Sequence, residues 1–272
     1  MERSVDNNIF GFGVIKRLIG VVAAVILSSL PLSAQEQIPL MDSYNNIVQS
    51  RFGALAIIPL NPKWELSLGG QVRTLANMSD VDKIMAIAMV NYSPWKFLSF
   101  ESEYNFVDWH TAGQWRLKHR LNLGVIGKVK WGRFTLSLRE RLKLNIKNYK
   151  TDPYTLANPV VMLRTRLMAT YNNKSAWKPY AFVEFYGMMN APTAVANRFE
   201  SPVQRKPYFN RLRASAGANV SISEKSIIHI YYLFVFNRVY NFGYNSATGD
   251  LESRSRKNSR VHAIGIDYKF KL

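Results

Sequence analysis

One histidine interrupts an otherwise clean alternation in the stretch QWRLKHRLNLGV, residues 114–125. Trp115, Leu117, Leu121, Leu123 and Val125 take the odd positions, and Gln114, Arg116, Lys118, Arg120 and Asn122 the even ones. His119 falls on the apolar side. Histidine exchanges protons near neutral pH, and with a carboxylate to orient it and a nucleophile to activate it makes a hydrolytic triad. Glu140, between Leu138 and Leu142, is the matching exception in the next apolar row. If Val125 pairs with Phe134 across the intervening turn, His119 faces Glu140 on a shared rung. A lipid-modifying enzyme built on that pair has no identified nucleophile, although Ser102 sits in the apolar row of 97–106. The plainer reading is a structural His–Glu pair, which lowers the cost of an ionisable group in an apolar row. The plainer reading is favoured. The chain has no cysteine, nucleophile elbow, phosphate-binding glycine loop or zinc-ligand spacing. No catalytic residue beyond the candidates His119 and Glu140, no metal site and no cofactor is therefore assigned.

The basic rows offer a second chemistry. Arg116, Lys118 and Arg120 are followed on the next segments by Arg139, Arg141 and Lys143, then Arg164 and Arg166, with Arg211 and Arg213 further on. The acids on matching rows are Glu65, Glu101, Glu103 and Glu184. A channel lined by uncompensated Arg and Lys selects anions, whereas the same residues neutralised by Glu101 and Glu103 form a salt-bridged plug.

Both readings require strands with two unlike faces. Period-two alternation recurs at 63–74, 97–106, 114–125, 133–147 and 160–171, and more weakly at 46–57, 83–92, 179–188, 208–220, 227–238 and 260–272. Turn-forming connections at 61–63, 93–96, 127–132, 172–179 and 221–226 alternate with longer ones at 76–80, 108–113, 148–159, 188–207 and 241–258. Short turns at one end and long loops at the other mark an outer-membrane barrel, whereas a β-sandwich does not sort its loops this way. The expected fold is all-β: a single antiparallel transmembrane β-barrel with short periplasmic turns and long extracellular loops. The expected count is twelve strands, with a further strand hidden in 35–45, and ten is the alternative.

Composition bounds the partners. The 272 residues carry a formal charge of +18, which suits nucleic acid, anionic lipid or an acidic ligand. Lys16 and Arg17 precede the apolar run LIGVVAAVILSSLPL, and small residues follow at Ser33 and Ala34. That order describes a cleaved secretory signal over 1–34, leaving a mature domain at 35–272. Export argues against nucleic acid as a partner. The expected partners are outer-membrane lipid, lipopolysaccharide, the barrel-insertion machinery and small anionic solutes. The closing IGIDYKFKL places Ile264, Ile266, Tyr268, Phe270 and Leu272 on one face, the form of strand that insertion machinery reads.

The chain resembles the DUF2490-like family of small, uncharacterised outer-membrane β-barrels of Gram-negative bacteria. The resemblance rests on LSAQ at the end of the leader, NPKWELSLGGQVR, KHR at 118–120, RERLKL at 139–144, KPYAFVEFY at 178–186, RLR at 211–213 and the closing IGIDYKF. It implies an outer-membrane barrel and brings no activity or catalytic residue. The expected function is a narrow, porin-like pore or carrier for small anionic solutes, lined by Arg116, Lys118, Arg120, Arg139, Arg141, Lys143, Arg164 and Arg166 with Glu101 and Glu103. A closed structural barrel that binds through its loops is the alternative, and the His119/Glu140 enzyme comes third.

Overall fold

The computed structural model describes residues 40–272 except 76, 77, 79 and 112. The expected leader at 1–34 lies outside the described residues. These contain eleven strands and no helical element: β1 (Leu40–Pro59), β2 (Trp64–Thr74), β3 (Val81–Trp95), β4 (Leu98–Thr111), β5 (Gln114–Trp131), β6 (Phe134–Lys147), β7 (Val160–Tyr171), β8 (Trp177–Pro192), β9 (Arg205–Ser221), β10 (Ser226–Tyr244) and β11 (Leu251–Lys271). Each strand pairs antiparallel with the next, and β1 also pairs with β11 in parallel, closing the sheet into a barrel. Closure pairs the backbone of every strand on both sides and removes the exposed edge of an open sheet.

The expected twelve strands become eleven among the described residues. Of residues 35–45, where a separate strand was expected, 35–39 lie outside the described residues and 40–45 run without a break into β1, a single strand of 20 residues. No proline interrupts 40–58, and the turn formers of Asp42–Asn46 pair along their length with Arg256–Arg260 of β11 instead of reversing the chain. The odd count is accommodated by the parallel β1–β11 seam, in register from Leu40↔Arg254 to Ile57↔Lys271. Arg256 Nε donates to Asp42 Oδ1 at 2.6 Å near one end of that seam. At the other, the Leu272 amide donates to the Ile57 carbonyl at 2.9 Å.

The connections sort by end. The turn end carries 60–63, 96–97, 132–133, 172–176 and 222–225, and the loop end carries 75–80, 112–113, 148–159, 193–204 and 245–250. Two loops expected to be long are short, because pairing continues to Thr111↔Gln114 in one and Tyr244↔Leu251 in the other. Extended pairing satisfies backbone groups that a loop would leave to solvent.

Cross-strand partners share a face, so the pairing carries the two rows around the barrel. Phe100, Leu123, Leu142, Leu167 and Ile264 point outward and are exposed, while Glu101, Arg139, Arg141, Arg164 and Glu184 point inward and are buried. The interior is not polar throughout. Tyr180, Tyr231, Leu233, Val235, Val261 and Ala263 form an apolar cluster inside β8, β10 and β11. With apolar residues on both faces, β10 shows little alternation, which explains its weak signal in the sequence.

Candidate functional site

The strand pairing corrects the expected His119–Glu140 rung. The β5–β6 connection is only Gly132 and Arg133, so Trp131 rather than Val125 pairs with Phe134. Gly132 has φ 56°, the left-handed backbone that a turn this tight uses and glycine adopts freely. Val125 then opposes Glu140, and His119 opposes Ile146. The displacement is an even number of residues, so every side chain keeps its face while its partner changes.

Each exception finds another partner. Glu140 Oε2 accepts a hydrogen bond at 2.8 Å from Thr165 Oγ1, directly opposite on β7. Ser102 and Glu140 both line an outward groove of about 560 Å³, with Phe100, Leu123 and Leu142, and His119 is not part of that lining. His119 Nδ1 lies 2.6 Å from the Tyr104 hydroxyl, with the Phe106 ring edge-on at 5.7 Å. The same unit recurs elsewhere on the barrel: His262 Nδ1 lies 2.6 Å from the Tyr232 hydroxyl, and the Phe234 ring is 5.3 Å away. In both, Tyr-x-Phe stands on one strand and the histidine opposes the phenylalanine from the next. A hydroxyl satisfies a ring nitrogen inside an apolar row, so neither histidine needs a carboxylate to account for it.

The interior holds the denser chemistry. Glu184 on β8 accepts hydrogen bonds from Arg139 at 2.7 Å, Arg164 at 2.9 Å, Arg213 at 2.9 Å and the Tyr186 hydroxyl at 2.8 Å. On the other side, Arg141 donates through Nε to Glu101 at 2.6 Å and through Nη1 to Glu103 at 2.8 Å. Glu101 belongs to β4 and Arg141 to β6, with β5 between them. The intervening β5 residue is Gly124, where a Cβ would stand 2.5 Å from Glu101 Oε1. The missing side chain is the gap through which the carboxylate reaches across a strand.

The expected lining residues therefore divide. Arg139, Arg141, Arg164, Glu101 and Glu103 join one network. Arg116, Lys118, Arg120 and Lys143 lie toward the loop end and form no salt bridge among the described residues. Lys118 Nζ lies 3.1 Å from the Trp109 ring centre, and the Arg116 guanidinium 5.0 Å from that of Tyr149. Arg120 donates to Asn145 Oδ1 at 3.2 Å. Lys143 is buried, 6.0 Å from the Tyr186 ring centre. Arg166 sits 5.3 Å from the Phe182 ring centre. Sequence reasoning passed over the roles of Tyr186, Arg51 and Arg73. Tyr186 reads as an ordinary strand aromatic. Arg51 and Arg73 stand alone on their strands rather than in basic rows.

A cavity of about 770 Å³ opens at the turn end, where Asn61, Pro62, Lys128 and Lys271 form its mouth, and reaches inward to Glu101, Arg139, Arg141, Arg164 and Arg213. At the loop end the longer connections bind one another. Tyr154 donates to the Ser201 carbonyl at 2.9 Å, Arg198 pairs with Asp152 at 3.6 Å, and Asn197 donates to Asp250 at 2.8 Å.

A protein-family model described as a protein of unknown function (DUF2490) matches residues 52–245, a span that runs from within β1 to just past β10 and includes the whole interior network. No curated protein matches the chain. No solved structure matches it either.

Proposed function

The chain belongs to the DUF2490 family, and we propose that it is an outer-membrane β-barrel offering small anions a narrow, gated path through its interior. The observation that carries this reading is the cavity at the turn end, whose lining collects Arg51, Arg73, Arg139, Arg141, Arg164, Arg166 and Arg213 against the four acids Glu65, Glu101, Glu103 and Asp267. Concentrated positive charge in a low-dielectric cleft draws anions in and raises their local concentration. The Glu101–Arg141 and Glu184–Arg139 bonds, each reaching over one intervening strand along the cavity's inner wall, act as the gate. Arg116, Lys118, Arg120 and Lys143 continue the basic lining toward the loop end.

Membrane residence is supported by the outward face. Trp95, Trp131 and Trp177 are 56%, 73% and 54% exposed near the turn end, with exposed leucines, isoleucines and phenylalanines above them. An apolar band edged by aromatics is what hydrocarbon and its interface accommodate, and water does not. In this reading the turn end is periplasmic and the loop end extracellular. The mature chain follows a cleaved leader, is inserted by the barrel-insertion machinery, and sits among outer-membrane lipid and lipopolysaccharide.

A closed barrel that binds through its loops is the second reading, and the hydrogen-bonded cap formed by 148–159, 193–204 and 245–250 favours it. Planar-bilayer recording under a salt gradient separates the two. The pore reading expects small conductance steps with a reversal potential on the anion side, shifted toward cations when Lys128→Glu and Lys271→Glu reverse the mouth. No conductance at all, or a cation preference in the unaltered protein, overturns the pore reading. Silence leaves the closed barrel.

A further inference from the structure

The inner face sets cations directly opposite cations. Arg139 opposes Arg166 and Arg141 opposes Arg164 between β6 and β7, and Arg51 opposes Arg73 between β1 and β2. Like charges on one rung repel and weaken a sheet. The β6–β7 rungs are relieved by Glu101 and Glu184, which bond Arg139, Arg141 and Arg164. The β1–β2 rung has no such relief. Neither Arg51 nor Arg73 forms a salt bridge among the described residues.

Arg51 is only 7% exposed, and its Nε has no hydrogen-bond partner. Its Nη2 reaches only Gln49, at 3.4 Å. Arg73 spends its Nε on Gln71, at 2.8 Å. The nearby acid Asp267 is turned to His229 and Gln71, each at 3.3 Å. Both arginines line the cavity that opens at the turn end, together with Gln71, Arg213 and Tyr231. A buried Arg51 and a half-buried Arg73, facing an accessible cavity with most of their N–H donors unspent, lack an oxyanion.

We propose that Arg51 and Arg73 form a binding site for a small oxyanion of the phosphate class, either the free ion or the phosphate group of a small ester. The bound anion takes the place on this wall that Glu184 fills on the other. Guanidinium forks match phosphate oxygens bidentately, and two of them balance a doubly charged group. The site rests on the proposed function in one respect: the anion enters by the cavity mouth at the turn end.

The test is equilibrium dialysis of labelled inorganic phosphate against the purified, micelle-embedded barrel at fixed chloride. Thermal unfolding is recorded with and without phosphate. Saturable binding is expected, weakened about tenfold or more in Arg51→Gln and Arg73→Gln. Arg51→Glu places a carboxylate opposite Arg73, so it should abolish binding and remove the phosphate-dependent rise in Tm while the barrel stays folded. Competition by glycerol phosphate assigns the site to esters, and its absence assigns it to the free ion. No saturable binding, or binding that Arg51→Glu leaves unchanged, overturns the site. Binding without conductance sinks the pore reading alone, and conductance without binding sinks the site alone.

Discussion

Two arginine-bearing walls face the same interior and are built differently. On β6–β8, Arg139, Arg141 and Arg164 are held by Glu101, Glu103 and Glu184, and Tyr186 closes the cluster. On β1–β2, Arg51 and Arg73 oppose each other with only glutamines at their edges. The number of arginines does not distinguish a lock from a binding surface. The reach of a few carboxylates does. A buried ion pair is costly to break because the abandoned charge stays buried, whereas an uncompensated pair already bears its repulsion and awaits a counter-ion.

The largest effect that separates the walls is expected at Glu184. Its side chain is 1% exposed and bonds three arginines. Glu184→Gln should lower the unfolding free energy by about 3–5 kcal/mol, measured by urea titration of the barrel in lipid vesicles. Arg51→Gln, in phosphate-free buffer, should instead raise it by about 0.2–1 kcal/mol. Equal losses in the two variants would erase the distinction between the walls. A smaller effect is expected at Gly124, where a new side chain meets Glu101 Oε1. Gly124→Val should cost about 1–3 kcal/mol through overpacking, and combined with Glu101→Gln it should cost less than the two losses added. Strict additivity in that double-mutant cycle would show that Gly124 is not the passage for Glu101. The smallest loss concerns the outward histidines. Tyr104→Phe and Tyr232→Phe should each cost about 1 kcal/mol, by the same titration. A loss at one site only would show that the two Tyr–His units are not equivalent.

Much of the interior network was legible before the fold was known. Arg139, Arg141, Arg164, Glu101 and Glu103 lie on polar rows of strongly alternating segments, and the structure joins them. Glu184 was visible as an acid on a matching row, but its bonds to arginines of β6, β7 and β9 were not. Arg51 and Arg73 carry no local signature, because each is a single cation and their meeting depends on the β1–β2 pairing. His119 shows the converse. Its anomaly was plain, but the partner inferred for it was wrong: the inferred turn was longer than the two residues that connect β5 to β6.

Alternation set the all-β class and the face of each side chain on the strongly patterned strands, while β10, apolar on both faces, could not be read this way. A period of two is a local property, and it survives any even displacement of one strand along another, which is why Glu140 stayed in the apolar row while its partner changed from His119 to Val125. Register, closure and reach emerge only when the strands are assembled. Register depends on how tightly each turn folds. Closure depends on the parallel meeting of β1 and β11, residues far apart in the chain with no pattern in common. Reach depends on absences such as the side chain missing at Gly124, which acquires meaning only once Glu101 and Arg141 stand on either side of it.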